Sequence, residues 1–235
     1  MVGKVPGGFN GFSPETLDFL RKLRANNNKV WFEAHRQDYQ EYLLEPLRNL
    51  VADLGEFMLS IDPYFEITPA VDKTISRIYR DTRFSKDKSP YRSGMWATFK
   101  RPIKDWKEAP AYFFEITPDS YRYGMGFYQA SKDTMDRLRE KIDKEPAEFL
   151  KVISFFSNQR VFVVEGEKYK RLLDENKPAE IQEWYQRKNF YLVCNRKVDN
   201  RLFNRNLAGD LISGYSLVAP FYRYLWKIKY GPNSV

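Results

Sequence analysis

Apolar positions recur at helical spacing at both ends of the chain and alternate with polar ones in between. Leu17, Leu20 and Leu23 mark one face of a short helix behind Ser13-Pro14-Glu15. There a hydroxyl can accept an orphan backbone N–H, and proline at the first helical position gives up no hydrogen bond. Asn26-Asn27-Asn28 suits the end of that helix and the N-cap of a second, along which Phe32, Tyr39 and Leu43 keep helical spacing until Pro46 interrupts. Leu47, Leu50, Val51, Leu54 and Met58 then form a core-facing stripe.

In the middle, aromatic and β-branched residues alternate with polar ones, which predicts strands at 73–80, 94–100, 111–117 and 121–128. Pro118-Asp119-Ser120 reads as the turn of an antiparallel hairpin between the last two. Tyr112, Phe114 and Ile116 share a face of its first arm, and Tyr121, Tyr123, Met125 and Phe127 a face of its second. Gly124 and Gly126 fall on the opposite face and leave it open to a backbone or a ligand, the commoner reason being a closely packed helix.

Helical spacing returns with Met135, Leu138 and Ile142, and again with Phe149, Leu150, Ile153 and Phe156 behind Pro146. Short runs at 161–164 and 190–194 can add strands, and 207–228 reads as a helix kinked or broken near Pro220. Within it Leu211, Tyr215, Val218, Tyr222 and Leu225 form one stripe, so the aromatic, basic C-terminal segment is expected against the core rather than at a membrane interface. The expectation is an α+β fold: one domain over 1–235, a mostly antiparallel sheet of about four to six strands, flanking N- and C-terminal helices, and a flexible N-terminus at 1–11.

Composition narrows the chemistry. With 43% hydrophobic and 17% aromatic residues among 235, the chain has enough apolar surface for a core, which argues against wholesale disorder. The single cysteine, Cys194, cannot close an intrachain disulfide, and the single histidine, His35, cannot build a histidine-rich metal site. No stretch approaches the ~20 apolar residues of a membrane span, and the first residues lack an apolar secretory core, so a cytoplasmic protein is expected. No P-loop, glycine-rich dinucleotide turn or nucleophile elbow is present.

Charge is concentrated. Residues 73–107 hold eleven Lys or Arg against Asp81, Asp87 and Asp105, a local balance of +8 that equals the net charge of the whole chain. A field of one sign can attract anions, and arginine's planar fork suits phosphate or carboxylate oxygens. The predicted ligand contacts are Arg77, Arg80, Arg83, Lys86, Lys88 and Arg92 in the block, with Asp81 and Asp87 orienting them, and Arg36 outside it. The plainer reading is local ion pairing, since Asp81 adjoins Arg80 and Arg83 while Asp87 lies between Lys86 and Lys88. As the acids inside the block, Asp81 and Asp87 are also its catalytic candidates, although no base–nucleophile spacing supports them.

The block carries a resemblance. Asn26-Asn27-Asn28-Lys29-Val30-Trp31-Phe32 and the run from Arg77 to Tyr91 are similar to the NN-x-x-x-WF and R-x-YRD-x-RFSKDK-x-PY motifs of a bacterial family of uncharacterised proteins, a domain of unknown function. Ser89 stands where that pattern has Thr and Arg92 where it has Lys, both keeping the chemistry. The likeness runs from Phe12 to about Phe190 and thins after residue 130 to Gly166, Lys170, Arg171 and Lys188-Asn189-Phe190. It implies an α+β domain and brings no activity, substrate or catalytic residue.

Arg36 lies beside the apolar stripe of its helix, its stem covering the core edge or its head reaching the basic block or an acid. His35 has no evident partner and reads as a hydrogen-bonded structural histidine, and Cys194 as a small buried residue. A second basic patch, Asn195-Arg196-Lys197 with Arg201 and Arg205 around Phe203, has the composition that single-stranded nucleic acid binding needs. The reading is therefore a protein that recognises a phosphorylated or otherwise anionic small molecule, with no resident cofactor or metal. The alternatives are a magnesium-dependent phosphoester enzyme using Asp81, Asp87 or Glu115, a nucleic-acid-binding module, and a purely structural ion-pair network. The sequence assigns no reaction and no oligomeric state.

Overall fold

Pro14 opens the first helix, α1 (Pro14–Ala25), and the backbone N–H of Ser13 donates to the Thr16 hydroxyl at 3.1 Å. The computed structural model describes residues 8–231. Residues 1–7 of the N-terminal stretch expected to be flexible lie outside them, whereas Phe9 is buried and its N–H donates to Asp53 at 2.8 Å. Helix α2 (Lys29–Ala34) starts at Asn28, whose side chain accepts the Trp31 N–H at 3.0 Å.

Pro46 does not interrupt the next helical run. The short α3 (Arg36–Asp38) passes through a π-helical segment, Tyr39–Leu44, into α4 (Glu45–Ile61). Pro46 has no N–H for the carbonyl four residues back, Tyr42, and the buried Thr16 hydroxyl donates to that carbonyl. A π-bulge gives the proline ring room that a regular α-turn denies it. The predicted stripe of Leu47, Leu50, Val51, Leu54 and Met58 is buried.

Five strands form one sheet in the order β1-β2-β3-β5-β4: β1 (Met95–Phe99), β2 (Pro110–Ile116), β3 (Ser120–Phe127), β4 (Val163–Glu165) and β5 (Tyr191–Lys197). The β2–β3 hairpin falls where the sequence predicts it, and β4 runs antiparallel to β5 with Val164 opposite Leu192. Gly124 and Gly126 face the backbone of β5 rather than a helix. A Cβ on Gly124 would stand 1.9 Å from the Leu192 carbonyl oxygen, and one on Gly126 2.4 Å from the Tyr191 Cα. Helices α5 (Lys132–Lys144), α6 (Pro146–Ser157) and α7 (Ala179–Tyr185) lie between β3 and β5 in the chain. Helix α8 (Leu207–Tyr230) runs through Pro220, so of the expected kink or break there is no break, and its stripe from Leu211 to Leu225 is buried on both sides of the proline.

The described residues divide into two compact units. One comprises residues through Phe99 with 113–123 and 195–213; the other comprises 100–112, 124–194 and residues from 214 onward. The division cuts through β2, β3, β5 and α8 rather than between elements. In the first unit Phe12 stacks on Phe114 at 5.6 Å. In the second, Trp184 meets Phe149, Phe156, Phe190 and Phe221, while buried Arg139 donates to the carbonyls of Tyr185 and Arg187. Cys194 is buried there as expected. Among the described residues no helix is long and apolar enough to cross a membrane.

Candidate functional site

The basic block does not begin as a regular strand. Residues 73–80 form one arm of a hairpin that pairs only at intervals, with single bridges of Ile75 to Ala97 and Tyr79 to Tyr91. The N–H groups of Arg80 and Arg92 donate to the carbonyls of Pro90 and Ile78, and those of Ser76 and Thr98 to Trp96 and Thr74. From Ile78 to Ser76 is two steps on one arm, while from Arg92 to Trp96 is four on the other. Two extra residues therefore bulge out between Arg92 and Trp96, and the ladder breaks there. Ser93 and Gly94 belong to this bulge, and a Cβ on Gly94 would come within 2.9 Å of the Ile116 carbonyl oxygen at the end of β2.

The loop between the arms is tied to itself. Arg80 donates to Asp87, whose other oxygen accepts the Ser89 N–H at 2.9 Å; Ser89 and Arg80 hold that carboxyl well below the usual carboxylate range. Arg83 grips Asp81 with Nε and Nη2 at 2.9 and 2.7 Å and draws its carboxyl down to about 2. Lys88 donates to the Thr82 carbonyl at 3.0 Å.

The end of α1 and the bulged arm are joined by Asn27 and an aromatic stack. The Asn27 carboxamide donates to the Tyr91 carbonyl and accepts the Tyr91 N–H, both at 2.9 Å. The Tyr91 ring lies on Phe32 at 4.2 Å, and Tyr79 meets both rings. The two sequence motifs thus hold each other: one supplies Asn27 and Phe32, the other Tyr79 and Tyr91.

Beside this joint lies a groove of about 480 Å³. Helix α1 and its end give it Arg24 and Asn27, the hairpin gives Arg80, Asp87 and Arg92, and the sheet gives Trp96 and Glu115. Arg24 pairs with Asp119 at 2.6 Å. Glu115 accepts Arg122 Nε on Oε2, and its Oε1 meets no protein donor among the described residues. The Arg92 guanidinium lies over the Trp96 ring at 4.8 Å and has no carboxylate partner among the described residues. A guanidinium over a ring is attracted by the ring's π-face and still has N–H donors to offer.

Of the predicted contacts, Arg80 and Arg92 line this groove. Arg77 pairs with Asp72, Arg83 with Asp81 beneath an almost fully exposed Phe84 (95%), and Lys86 is exposed. Arg36, the predicted contact outside the block, carries its guanidinium over Phe32 at 5.5 Å, bonds both oxygens of Glu33 and does not line the groove. His35 stacks on Trp31 at 4.0 Å with Nδ1 against the Trp31 carbonyl. In the second basic patch Arg196 and Arg201 pair with Asp199 and Asp210. Among the described residues no three His, Cys, Asp or Glu side chains gather closely enough to hold a metal ion.

Sequence patterns do not reveal Arg24 and Trp96 as groove residues and offer Glu115 only as a distant metal ligand. Arg24 precedes the asparagine triplet with no periodic signal of its own. Trp96 is half-buried with Arg92 over its ring, a geometry that no residue pattern announces.

Residues 15–224 match the family described as conserved hypothetical protein (DUF2461), and the chain belongs to it. No curated protein is similar enough to count as a relative.

Proposed function

We propose that this DUF2461 protein binds a small phosphorylated or otherwise anionic molecule in the groove, in a cytoplasmic setting, with Arg92 as the principal contact and Arg80 and Arg24 beside it. The observation that carries the reading is the state of Arg92. Its guanidinium is held over the Trp96 ring, so the side chain is oriented in advance, yet no carboxylate neutralises it among the described residues. An oriented cation with free donors in a concave site suits a bidentate oxyanion.

Calorimetric titration of the full chain at about 0.15 M salt, near the physiological Debye length of about 8 Å, tests this. The titrants are a panel of phosphomonoesters and their unphosphorylated parent alcohols. Phosphomonoesters that bind where the parents do not, with binding lost in an Arg92→Ala variant of unchanged melting temperature, support the proposal. Equal binding to Arg92→Ala, or no binding by any phosphomonoester, rejects it.

A second reading has one observation in its favour. Phe84 stands almost wholly in solvent on a loop that also carries Lys86 and Lys88, an arrangement on which a nucleic acid base can stack while its phosphates meet the cations. Affinity for a short single-stranded oligonucleotide that falls steeply with salt and is lost in Phe84→Ala would favour it over the groove.

A further inference from the structure

The groove carries both signs of charge in nearly equal number. Its lining holds three guanidinium groups, on Arg24, Arg80 and Arg92, and two carboxylates, on Asp87 and Glu115, a formal balance of +1. The charges that pair with Arg24 and Glu115, on Asp119 and Arg122, cancel each other and leave the balance unchanged. A phosphomonoester, at about −1.5 to −2 near neutral pH, nearly matches that balance. A polyphosphate chain would set further negative charge against Asp87 and Glu115, and like charges held close repel.

The two carboxylates differ in what they can still do. Asp87 is occupied on both oxygens, by Arg80 and by the Ser89 N–H. Glu115 is occupied only on Oε2. A carboxylate oxygen accepts and never donates, so a ligand group that settles on Oε1 must bring a proton. Hydroxyl and ammonium groups qualify. Arg122 already balances the Glu115 charge, which leaves an ammonium less Coulombic gain for its own desolvation and leaves a hydroxyl's hydrogen bond intact. The groove volume of about 480 Å³ lies at the small end of the ligand-pocket range, and Ser89 and Ser93 add neutral hydroxyls to its wall.

From these observations we infer that the groove takes a phosphomonoester of a polyhydroxylated skeleton, a sugar or polyol phosphate, with the phosphate on Arg92 and a hydroxyl on Glu115. The inference rests on the anion reading above and adds to it the part of the ligand that is not the anion. Glu115 is then the residue that separates hydroxylated from bare phosphates, while Arg92 serves both.

The experiment compares four probe sets on the full chain by calorimetry: a panel of hexose, pentose and glycerol monophosphates; methyl phosphate; inorganic phosphate; and inorganic triphosphate. The hydroxylated panel is expected to contain members that bind at least about tenfold more tightly than methyl phosphate, the scale of one hydrogen bond to a charged group. In Glu115→Gln the preference should move in opposite directions. The hydroxylated ligand weakens, while triphosphate tightens because Arg122 is released and the groove gains positive charge. General loosening of the fold would weaken both, so divergence is the diagnostic.

If methyl phosphate binds as tightly as every hydroxylated probe, and does so through Arg92, the anion site stands and the hydroxyl inference is overturned. The hydroxyl inference fails equally if Glu115→Gln shifts all probes alike. Absence of any Arg92-dependent binding removes the anion site and this inference together.

Discussion

The Asn27 carboxamide and the Tyr91 peptide group close a reciprocal pair of hydrogen bonds, each 2.9 Å long, across 64 residues of sequence. Asn27 thereby stands in for a neighbouring strand, satisfying both the N–H and the carbonyl of a residue whose side chain is buried on Phe32. Arg92 is the very next residue and the bulge follows it, so the joint fixes the chain where the groove wall starts.

Asn27→Ala removes both bonds and leaves two partly buried backbone groups to find other partners. Two net hydrogen bonds at roughly 0.5–1.5 kcal/mol each predict a loss of about 1–3 kcal/mol. Urea denaturation measures it. Faster amide exchange over 89–94, beyond what the global loss explains, would locate the effect at the bulge; uniform exchange would place it elsewhere.

Arg80 and Arg83 look alike in the sequence, each near an acid in the same block, but the structure separates them. The Arg80 side chain is 25% exposed and crosses the loop to Asp87 seven residues on, whereas Arg83 is 77% exposed and closes only on Asp81 two residues before it. Exposed pairs contribute little. Arg83→Ala should therefore leave the melting temperature unchanged and groove binding intact, while Arg80→Ala lowers the melting temperature and weakens phosphomonoester binding. A thermal-shift series on both variants checks this, and equal behaviour of the two would contradict it.

Acid should loosen the loop before it unfolds the protein. The Asp81 carboxyl is drawn from 3.8 down to about 2, first by its bonds to the Arg83 side chain and then by the Arg83 N–H. A depressed folded-state pKa ties the pair to the folded loop above the unfolded value and releases it as pH falls through the folded one, and in so exposed a pair the effect on global stability is small. The window runs from about 4 down to about 2. Carboxyl chemical shifts followed by NMR should put the Asp81 midpoint near the lower end, and Arg83→Ala should return it toward the ordinary value.

The helices and the hairpin are legible in the sequence because their signals are local. Leu17, Leu20 and Leu23 share a face whatever surrounds them, and Pro118-Asp119-Ser120 turns wherever it stands. Residues 73–80 mislead because alternation reports which residues can share a face, not whether two arms stay in register, and the two-residue slip is set by the opposite arm. Pro46 misleads for a related reason: its penalty is absorbed by a π-segment and by the hydroxyl of Thr16, thirty residues away. The charge concentration is visible, but its sorting into the Arg77–Asp72 and Arg83–Asp81 pairs and an Arg92 with no carboxylate partner among the described residues depends on where the loop folds back. Trp96 and Glu115 become groove residues only through the sheet that carries them.

Two glycines offer a test of opposite sign. The sequence marks Gly124 as a site of close approach and favours a helix as its neighbour, whereas the neighbour is the β5 backbone at Leu192. A Cβ at 1.9 Å from a carbonyl oxygen has no rotamer by which to escape, so Gly124→Ala must push β3 and β5 apart or distort both. Overpacking of this kind costs about 1–3 kcal/mol, and more where backbone must move. Gly209, in the first turn of α8, has nothing within 4 Å of the added carbon. There alanine only reduces the freedom of the unfolded chain and improves helix propensity, and Gly209→Ala should stabilise by about 0.4–1 kcal/mol. Denaturation midpoints of the two variants against the parent decide between these expectations and their opposites. A Gly124→Ala protein as stable as the parent would mean that β3 and β5 do not approach as closely as the geometry requires, while a Gly209→Ala protein less stable than the parent would mean that its position in α8 is not open.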